Sequence, residues 1–377
     1  MIRVLQIVDS MDMGGIQAFI MNVYREINKQ EIQFDFLVMR QHHQIFEDEI
    51  VSSGGKIFKI ASRRDSILKN VIQIKNFFTT HPEYKIIHYH TSALHYITPL
   101  TIAKCTNVPI RIVHSHSTKI LGAKINRLLH RINKSRIHLL ATDYFSCGES
   151  AADWMFGETK IRNKVRIVNN GIEIKKYQFN DILRNKIRKQ LGVADKTVIG
   201  HIGRFHPVKN HEFLIKVFNN LCKMDDKYVL ILIGDGEQKD TIQRMIVDFG
   251  IQNKVLMLGR KMDAYDYYHA FDIFVMPSFY EGFPVTAVEA QASGINLVLS
   301  DTITSDVIIK NNVYSLSLDL GPSKWARFID NIEIRREINN SKLIEAGYDI
   351  NNTVTFLTNF YNKRINLNGS NIFLSDY

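Results

Sequence analysis

Short apolar runs alternate with amphipathic segments along the first half of this chain, and that alternation limits the fold more than any other feature. The runs at 3–9, 34–40, 56–60, 85–90, 110–116, 144–147 and 165–169 have the length of β-strands, and several are apolar throughout. Uniformly apolar strands are typical of a sheet that is covered on both faces. Helical patterns at 17–28, 66–78 and 119–138 lie between them. The alternation predicts a doubly wound α/β unit with a parallel sheet.

The same pattern begins again after Asn170-Gly171. Further strands are predicted at 198–203, 228–234, 255–259, 273–277 and 297–301, with helices between them. A chain of 377 residues is long for one core and suits two domains. We expect these domains at 1–175 and 176–350. The remaining segment, 351–377, begins as a helix with Phe356, Phe360 and Tyr361 on one side, and we expect it to pack back toward the N-terminal domain.

The composition is that of a folded protein, with 45% hydrophobic and 23% charged residues. Cys105, Cys147 and Cys222 lie far apart, which indicates neither a disulfide framework nor a zinc site. The first residues do not resemble a signal peptide, and no stretch of about 18 apolar residues is present. We therefore expect a cytoplasmic protein.

The net charge of +10 is unevenly distributed. Residues 1–175 contain 24 Lys and Arg against 15 Asp and Glu, whereas residues 176–377 contain 24 against 23. Within 84–142 there are nine basic residues and no acidic one. Such a field attracts phosphates, whether in nucleic acid, in anionic lipid or in a phosphorylated substrate. A basic surface without a partner is the alternative.

The predicted helix at 121–138 combines charge with apolar residues. One face carries the basic residues Lys124, Arg127, Arg131 and Lys134, and the adjoining face carries the apolar residues Ile125, Leu128, Leu129 and Ile132. This pattern is typical of a helix that lies on anionic lipid, and we expect contact with the inner face of the cell membrane through the four basic residues. The alternative is a surface helix whose apolar face packs into the core.

Three motifs in the second half each follow a predicted strand. They are Gly203-Arg204 with Lys209, Gly234-Asp235-Gly236, and the pair Glu281 and Glu289. Ligands of open α/β sheets bind beyond the carboxyl ends of the strands. There, Arg and Lys side chains can neutralise a diphosphate, glycines let backbone amides approach a ligand, and carboxylates can bind paired sugar hydroxyls such as those of a ribose.

Two histidine pairs end strands of the first half, His88-x-His90 and His114-x-His116. Alternation along a strand places both members of a pair on the same face. One interpretation is a metal site with four histidines. No carboxylate accompanies them, which speaks against a metal, and for His88 and His90 we favour packing or polar lining of the cleft.

These motifs resemble the retaining glycosyltransferases of the GT-B fold, in family four. The matching residues are Gly14-Gly15, Asn170-Gly171-Ile172-Glu173, Gly203-Arg204 with Lys209-Asn210, Gly234-Asp235-Gly236, and Glu281 with Glu289. The resemblance covers about residues 1–310 and is closest to bacterial enzymes of exopolysaccharide and capsule assembly. It implies two Rossmann-like domains that face a central cleft, the N-terminal one binding the acceptor and the C-terminal one the nucleotide sugar.

The resemblance also implies roles for individual residues. The catalytic residues would be His116, Arg204, Lys209 and Glu281, with His114 as the alternative histidine. Arg204 and Lys209 would hold the donor's diphosphate, and Glu289 the ribose. Other donor-binding positions would be Gly14 and Gly15 near the phosphates, Gly203, Gly234 and Gly236 at strand ends, and Glu281, Gly282 and Phe283 at the sugar.

The implied reaction transfers a sugar with retention at C1, from a donor with UDP rather than GDP, to a glycan or lipid-linked acceptor. It would need neither a divalent ion nor a cofactor, and no Asp-x-Asp motif is present. Two departures concern the nucleoside surroundings: Gly294-Ile295-Asn296 replaces the family's Gly-Leu-Pro, and 310–314 replaces a glycine-rich loop. The alternatives are a sugar-nucleotide epimerase or phosphorylase on the same fold, or a nucleic-acid-binding protein. We expect no nucleic-acid partner, because no motif of a known reader is present.

Overall fold

The computed structural model describes residues 1–119 and 123–372, without the side chains of 368–372. The chain divides into two compact units, Met1–Gly171 together with Ile350–Tyr377, and Ile172–Asp349. The first boundary lies at Gly171 rather than at residue 175, and the second precedes Ile350. Among the described residues, no helix combines the length and the apolar character that crossing a bilayer requires.

The first unit contains seven parallel strands. They are β1 (Ile2–Val8), β2 (Ile32–Val38), β3 (Ile57–Lys59), β4 (Ile86–Thr91), β5 (Ile110–Ser115), β6 (Asp143–Ser146) and β7 (Arg166–Ile167). Their order in the sheet is β3-β2-β1-β4-β5-β6-β7, so the direction of winding reverses between β1 and β4. The helices between them are α1 (Gly15–Glu26), α2 (Glu47–Ser52), α3 (Ile67–Thr80), α4 (Thr98–Cys105), α5 (Lys124–Arg136) and α6 (Glu149–Phe156).

The central strands of this sheet are buried on both faces, as their apolar sequences require. Alternate residues of β1 enter different cores: Val4 packs with Phe36 on one side, and Leu5 packs with Leu37 on the other. Helices cover each face, which is the doubly wound arrangement predicted from the alternation.

The second unit repeats this plan with six parallel strands. They are β8 (Thr197–Ile202), β9 (Tyr228–Ile233), β10 (Val255–Met257), β11 (Ile273–Met276), β12 (Asn296–Ser300) and β13 (Val313–Leu316). Their order is β10-β9-β8-β11-β12-β13, with the reversal between β8 and β11. The helices are α7 (Ile174–Tyr177), α8 (Asp181–Gln190), α9 (His211–Met224), α10 (Lys239–Asp248), α11 (Ala264–Tyr267), α12 (Val285–Ala292), α13 (Gly321–Asp330) and α14 (Ser341–Glu345). Two Rossmann-like domains confirm the predicted fold class.

The last helix, α15 (Ile350–Ile372), belongs to the first unit and packs on α1. Tyr361 is fully buried, and the ring of Phe360 lies 4.8 Å from that of Phe145 between ring centres. The hydroxyl of Thr353 donates to the carbonyl of Asn169 over 3.0 Å. The apolar face predicted for this segment is therefore the face that contacts the N-terminal domain. Residues 373–377 of the predicted tail lie outside the described residues.

Candidate active site

The second sheet reverses its strand order between β8 and β11, and the predicted donor-site residues follow these two strands. Arg204 and Lys209 come after β8, and Glu281 comes after β11. Ligands of doubly wound sheets bind outside the carboxyl ends of the strands at such a reversal. The topology therefore brings the three residues to one edge of the sheet, where a ligand is expected.

Lys209 and Glu281 form an ion pair at this edge. Lys209 Nζ lies 2.6 Å from Glu281 Oε1, and the hydroxyl of Ser278 donates to the same oxygen over 2.8 Å. The backbone joins the two loops as well, because the N–H of Phe279 donates to the carbonyl of Val208 over 2.8 Å. The side chains of the pair are only 20% and 11% exposed. An anion that binds Lys209 must share this ammonium with Glu281 or displace the carboxylate.

Arg204 differs from Lys209 in being exposed. No hydrogen bond or ion pair to its side chain is found within residues 1–119 and 123–372. A guanidinium that no protein carboxylate neutralises can bind a phosphate through two parallel N–H donors. Arg204 is therefore the cation at this edge that is most readily available to a ligand.

His201 on β8 lies beneath this edge and was not predicted from the sequence. Its Nδ1–H donates to the carbonyl of Val275 over 2.8 Å, and burial lowers the pKa of the imidazole to about 4. The other nitrogen, Nε2, has no partner among the described residues, and it would lie 3.0 Å from a Cβ placed on Gly203. A larger residue at Gly203 would press on this neutral imidazole. The only signal in the sequence is a polar residue inside an apolar run.

Gly234 and Gly236 allow the loops after β8 and β9 to pack directly on each other. Gly234 has a φ of +145°, and a Cβ there would lie 1.9 Å from the carbonyl oxygen of Gly203. A Cβ on Gly236 would lie 2.4 Å from the carbonyl oxygen of Phe205. The N–H of Phe205 donates to the carbonyl of Asp235 over 3.0 Å and closes the contact. The fold itself thus requires both glycines, and their contact with a donor stays a prediction.

Glu289 on α12 is held by two tyrosines that sequence reasoning missed. The hydroxyl of Tyr177 donates to Oε1 over 2.8 Å, and the hydroxyl of Tyr268 donates to Oε2 over 2.7 Å. Burial raises the pKa of the Glu289 carboxyl, and the two hydrogen bonds oppose that increase. Each oxygen keeps a second lone pair, so the oriented carboxylate can still accept bonds from ribose hydroxyls.

Gly282 and Phe283 lie between Glu281 and α12. The ring of Phe283 is buried and stacks on Tyr348 with 5.3 Å between ring centres. In the described part of the chain, neither backbone N–H donates a hydrogen bond. Both amides are therefore available to a ligand, as the predicted role at the donor sugar requires.

In the first unit, Gly14 and Gly15 form the start of α1, at the end of the loop that follows β1. A Cβ on Gly14 would lie 2.3 Å from Gln17 Oε1, whereas a Cβ on Gly15 would meet no described atom within 4 Å. Among the described residues, no side chain caps this helix. Its first N–H groups lie at the positive end of the helix dipole and receive no hydrogen bond from a capping side chain. The helix start has the properties of an anion site, and the space beside Gly15 is open.

The four histidines of β4 and β5 form a buried hydrogen-bonded cluster. Gln6 Oε1 accepts from His90 Nε2 over 2.7 Å, so His90 Nδ1 carries a lone pair and accepts from His116 Nε2 over 2.9 Å. This chain leaves a lone pair on His116 Nδ1, which has no partner among the described residues. In parallel, the hydroxyl of Tyr361 lies 2.7 Å from His88 Nδ1, and His88 Nε2 lies 3.1 Å from His114 Nδ1.

Burial keeps these imidazoles neutral. It lowers the pKa of His116 to about 3 and holds the pKa of His88, His90 and His114 well below the ordinary value. His114 is fully buried and His116 is partly exposed, which supports His116 as the histidine that could meet a substrate. Ring nitrogens of His88, His90 and His114 lie within 4.8 Å of one another, so a metal ion could bind them only by breaking the hydrogen bonds within the cluster. The expectation of no metal stays a prediction.

Helix α5 exposes the apolar residues that an ordinary surface helix would bury. The exposed fractions of Ile125, Leu128 and Ile132 are 55%, 54% and 40%. The basic side chains of Lys124, Arg127 and Arg131 are exposed as well. The fourth basic residue differs from the prediction, because Lys134 Nζ donates to the carbonyls of Asp153 (3.4 Å) and Trp154 (3.1 Å) and is partly buried. Residues 121 and 122 of the predicted helix lie outside the described residues.

Known families match both units. Residues 13–176 match the sequence model described as glycosyltransferase family 4, and residues 184–349 match the one described as glycosyl transferases group 1. A putative glycosyltransferase, EpsF of Bacillus subtilis, is 34% identical over 370 residues, which are 96% of each chain. The chain therefore belongs to the family-four glycosyltransferases with the GT-B fold.

More distant relatives agree with this family. The capsular polysaccharide biosynthesis glycosyltransferase CapH of Staphylococcus aureus is 24% identical over 377 residues, 96% of this chain and 99% of that protein. Among solved structures, Anabaena HepE in complex with UDP-glucose has a TM-score of 0.79 at 18% identity, covering 96% of this chain and 100% of that one. At this identity, the structural likeness supports the fold alone.

Proposed function

We propose that the protein transfers a sugar from a nucleotide-sugar donor to a saccharide acceptor, with Arg204 and Lys209 holding the donor's diphosphate. The observation that carries the proposal is the exposed guanidinium of Arg204, which has no partner among the described residues and follows the same strand as Lys209 at the reversal of the second sheet. Negative charge develops on the diphosphate as it leaves C1, and fixed positive charge lowers the energy of that transition state.

The proposed reaction retains the configuration at C1. The bond from C1 to the diphosphate oxygen breaks, and the acceptor hydroxyl forms the new bond from the same face of the sugar. The proton of that hydroxyl goes to the departing diphosphate. Because two cationic side chains supply the positive charge, the proposal includes no divalent ion and no cofactor. Glu281 and the free amides of Gly282 and Phe283 would contact the donor sugar. His116 remains the predicted active-site histidine.

The proposed donor nucleotide is UDP. UDP is the nucleotide to test first, because HepE, which shares only the fold with this chain, was crystallised with UDP-glucose. Glu289 would accept from both ribose hydroxyls, because its tyrosine partners fix the direction of the carboxylate. The proposed pathway is the synthesis of a cell-surface polysaccharide, as the name of CapH states for that relative.

The proposed acceptor is a glycan, free or lipid-linked, and the proposed location is the inner face of the cell membrane. Helix α5 supports this location, since exposed apolar side chains lie beside three exposed cations. Such a helix can insert its apolar residues at the headgroup boundary while the cations bind anionic lipid. Each cation contributes about 1 kcal/mol near an anionic surface, which suits reversible binding.

A donor screen tests the proposal. A ligand that binds only the folded state stabilises it by about 2.7 kcal/mol at a hundred times its dissociation constant, so one UDP-sugar is expected to raise the melting temperature while GDP-sugars do not. NMR of the product formed with that donor and an acceptor should show the donor's anomeric configuration, with full activity in EDTA. A product with inverted configuration would contradict the proposed retention but not the proposed transfer. Conversion of the donor without any acceptor would instead indicate an epimerase.

A further inference from the structure

A cavity of about 360 Å³ in the first unit borders His90 of the histidine cluster, and Ile16 and Gln17 at the start of α1. It lies at the carboxyl ends of β1, β2 and β4, and all of its walls come from the first unit. The winding of this sheet reverses between β1 and β4, so the cavity occupies the position where doubly wound sheets bind ligands. Its rim reaches Asn126 on helix α5.

Three arginines line this cavity, and one carboxylate opposes them. Arg40 is paired with Asp9, with 2.7 Å between Nη2 and Oδ2. Arg63 Nη1 donates to the carbonyl of His95 over 3.1 Å, which fixes the guanidinium without neutralising it. The side chain of Arg64 is exposed and has no partner within the described ranges. Two positive charges are therefore left without a counter-charge.

The neighbouring side chains fit an anion rather than a cation. The guanidinium carbon of Arg63 lies 5.4 Å from the ring centre of Tyr96, a cation–π contact that leaves the N–H groups not bonded to His95 for a ligand. Burial lowers the pKa of His95, and the charges of Arg63 and Arg64 lower it further. A field that opposes protonation of an imidazole favours a phosphate in the same space.

The position of α5 indicates what the anion is attached to. Asn126 lines the cavity, while Ile125 and Leu128 on the same helix are exposed. A ligand with a phosphate headgroup and an apolar chain could bind both features at once. A cavity of this volume is large enough for a diphosphate and one sugar, since small-molecule pockets begin near about 300 Å³.

We propose that Arg63 and Arg64 bind the diphosphate of a lipid-linked acceptor in this cavity, with the lipid chain directed along helix α5. The proposal rests on the proposed transferase function, because it names the class of acceptor. Arg40 stays neutralised by Asp9 and shapes the wall. The recognised group is the diphosphate, and the test must separate the acceptor's diphosphate from the donor's.

Calorimetry with geranyl diphosphate, a short soluble probe, tests this assignment in the presence of saturating UDP. The wild-type protein should bind geranyl diphosphate and not geraniol. The double variant Arg63→Ala, Arg64→Ala should weaken that binding about tenfold or more, since each lost contact is a charge-assisted hydrogen bond. The matched control Lys69→Ala, Lys75→Ala removes two exposed charges of α3 that do not line the cavity, and it should bind like the wild type.

Three results would overturn the proposal: no binding to the UDP-saturated wild type, equal binding by the arginine double variant, or loss of binding in Arg204→Ala, which would place the probe in the donor site. An unchanged circular dichroism spectrum and melting temperature show that the double variant is folded, and Arg63→Lys with Arg64→Lys should recover part of the binding. Failure of the wild type to bind UDP would contradict the donor proposal instead. In that case the titration is repeated without UDP, and the comparison of wild type with the arginine double variant still tests the role of the arginines.

Discussion

Both units contain the same reversal of strand order, but the side chains at the two reversals differ in chemistry. In the second unit, the reversal carries the Lys209–Glu281 ion pair and Arg204, which has no partner among the described residues. In the first unit, β4 at the reversal carries the neutral imidazoles of His88 and His90, and the cavity that His90 lines is also lined by arginines of neighbouring loops. The same backbone plan therefore presents an ion pair and an exposed cation on one sheet, and buried neutral imidazoles beside an arginine-lined cavity on the other. The side chains at the strand ends, rather than the fold, determine which chemistry each unit presents.

Removing the guanidinium of Arg204 should have the largest effect. Arg204→Ala should lower kcat by about a hundredfold or more, because a preorganised group that stabilises developing charge is lost. Lys216→Ala, which removes an exposed cation of α9 in the same unit, should leave kcat unchanged. Steady-state kinetics with the donor found in the screen measures both. If Arg204→Ala kept a turnover near that of the wild type, Arg204 would not be the group that stabilises the leaving diphosphate.

Reversing the charge of α5 tests whether the first unit binds the membrane through this helix. Lys124→Glu, Arg127→Glu and Arg131→Glu together should abolish sedimentation with anionic vesicles at low salt, since three contacts of about 1 kcal/mol each become repulsive. Lys134 is left unchanged because its ammonium binds backbone carbonyls. Activity on a soluble acceptor analogue should persist.

The control for α5 reverses the same number of charges elsewhere on the first unit. Lys69→Glu, Lys75→Glu and Lys104→Glu alter exposed residues of α3 and α4. This variant should still sediment, less strongly than the wild type. If it lost binding as completely as the α5 variant, net charge rather than the helix would be responsible. A wild type that ignores anionic vesicles would end the membrane proposal and leave the transferase proposal intact.

The sequence predicted much of the fold because the apolar runs of buried parallel strands are visible without knowledge of contacts. Each predicted strand is present, and β13 alone was missed. That strand lies at the sheet edge and is partly exposed, so Val313–Leu316 lacks the apolar run by which the others were found. Its segment had been compared with a glycine-rich loop.

The residues of the site were predictable where position along a strand was sufficient. Arg204, Lys209 and Glu281 follow strands, and topology brings them to one edge. The tyrosine partner of Glu289 at residue 177 is 112 positions away, and Tyr361 is 273 positions from His88. Such contacts depend on packing that no local pattern records. For the same reason, the sequence could not show that α5 leaves its apolar face exposed.

The neutral histidines of the first unit should make it the more acid-sensitive one. Below about pH 6.5 the unfolded chain protonates its histidines, whereas folded His116 binds no proton until near pH 3. Unfolding therefore takes up protons, and stability falls as the pH drops through this window by about 1.4 kcal/mol per pH unit for each buried histidine. His201 and His211 act the same way in the second unit, and the raised pKa of Glu289 partly offsets them.

The two tryptophans allow the units to be followed separately. Trp154 lies in the first unit and Trp325 in the second. Urea unfolding of Trp325→Phe therefore reports the first unit by fluorescence, and Trp154→Phe reports the second. Between pH 7 and pH 5, the first unit should lose more of its free energy of unfolding. Equal losses would mean that the histidine cluster is not the neutral network inferred from its hydrogen bonds.

The smallest expected effect concerns how firmly the second unit holds its ribose-binding carboxylate. Tyr268→Phe removes the hydrogen bond to Glu289 Oε2 and leaves the one from Tyr177. A hydrogen bond to a charged group contributes about 1.5–3 kcal/mol, so the free energy of unfolding should fall by an amount in or below that range. The carboxylate keeps one partner, so UDP affinity should fall only a few-fold, with kcat for the sugar transfer unchanged. Calorimetric UDP binding measures this, and Tyr267→Phe on the neighbouring position is the control. A loss of kcat at unchanged UDP affinity would mean that Glu289 acts at the reacting sugar rather than at the ribose.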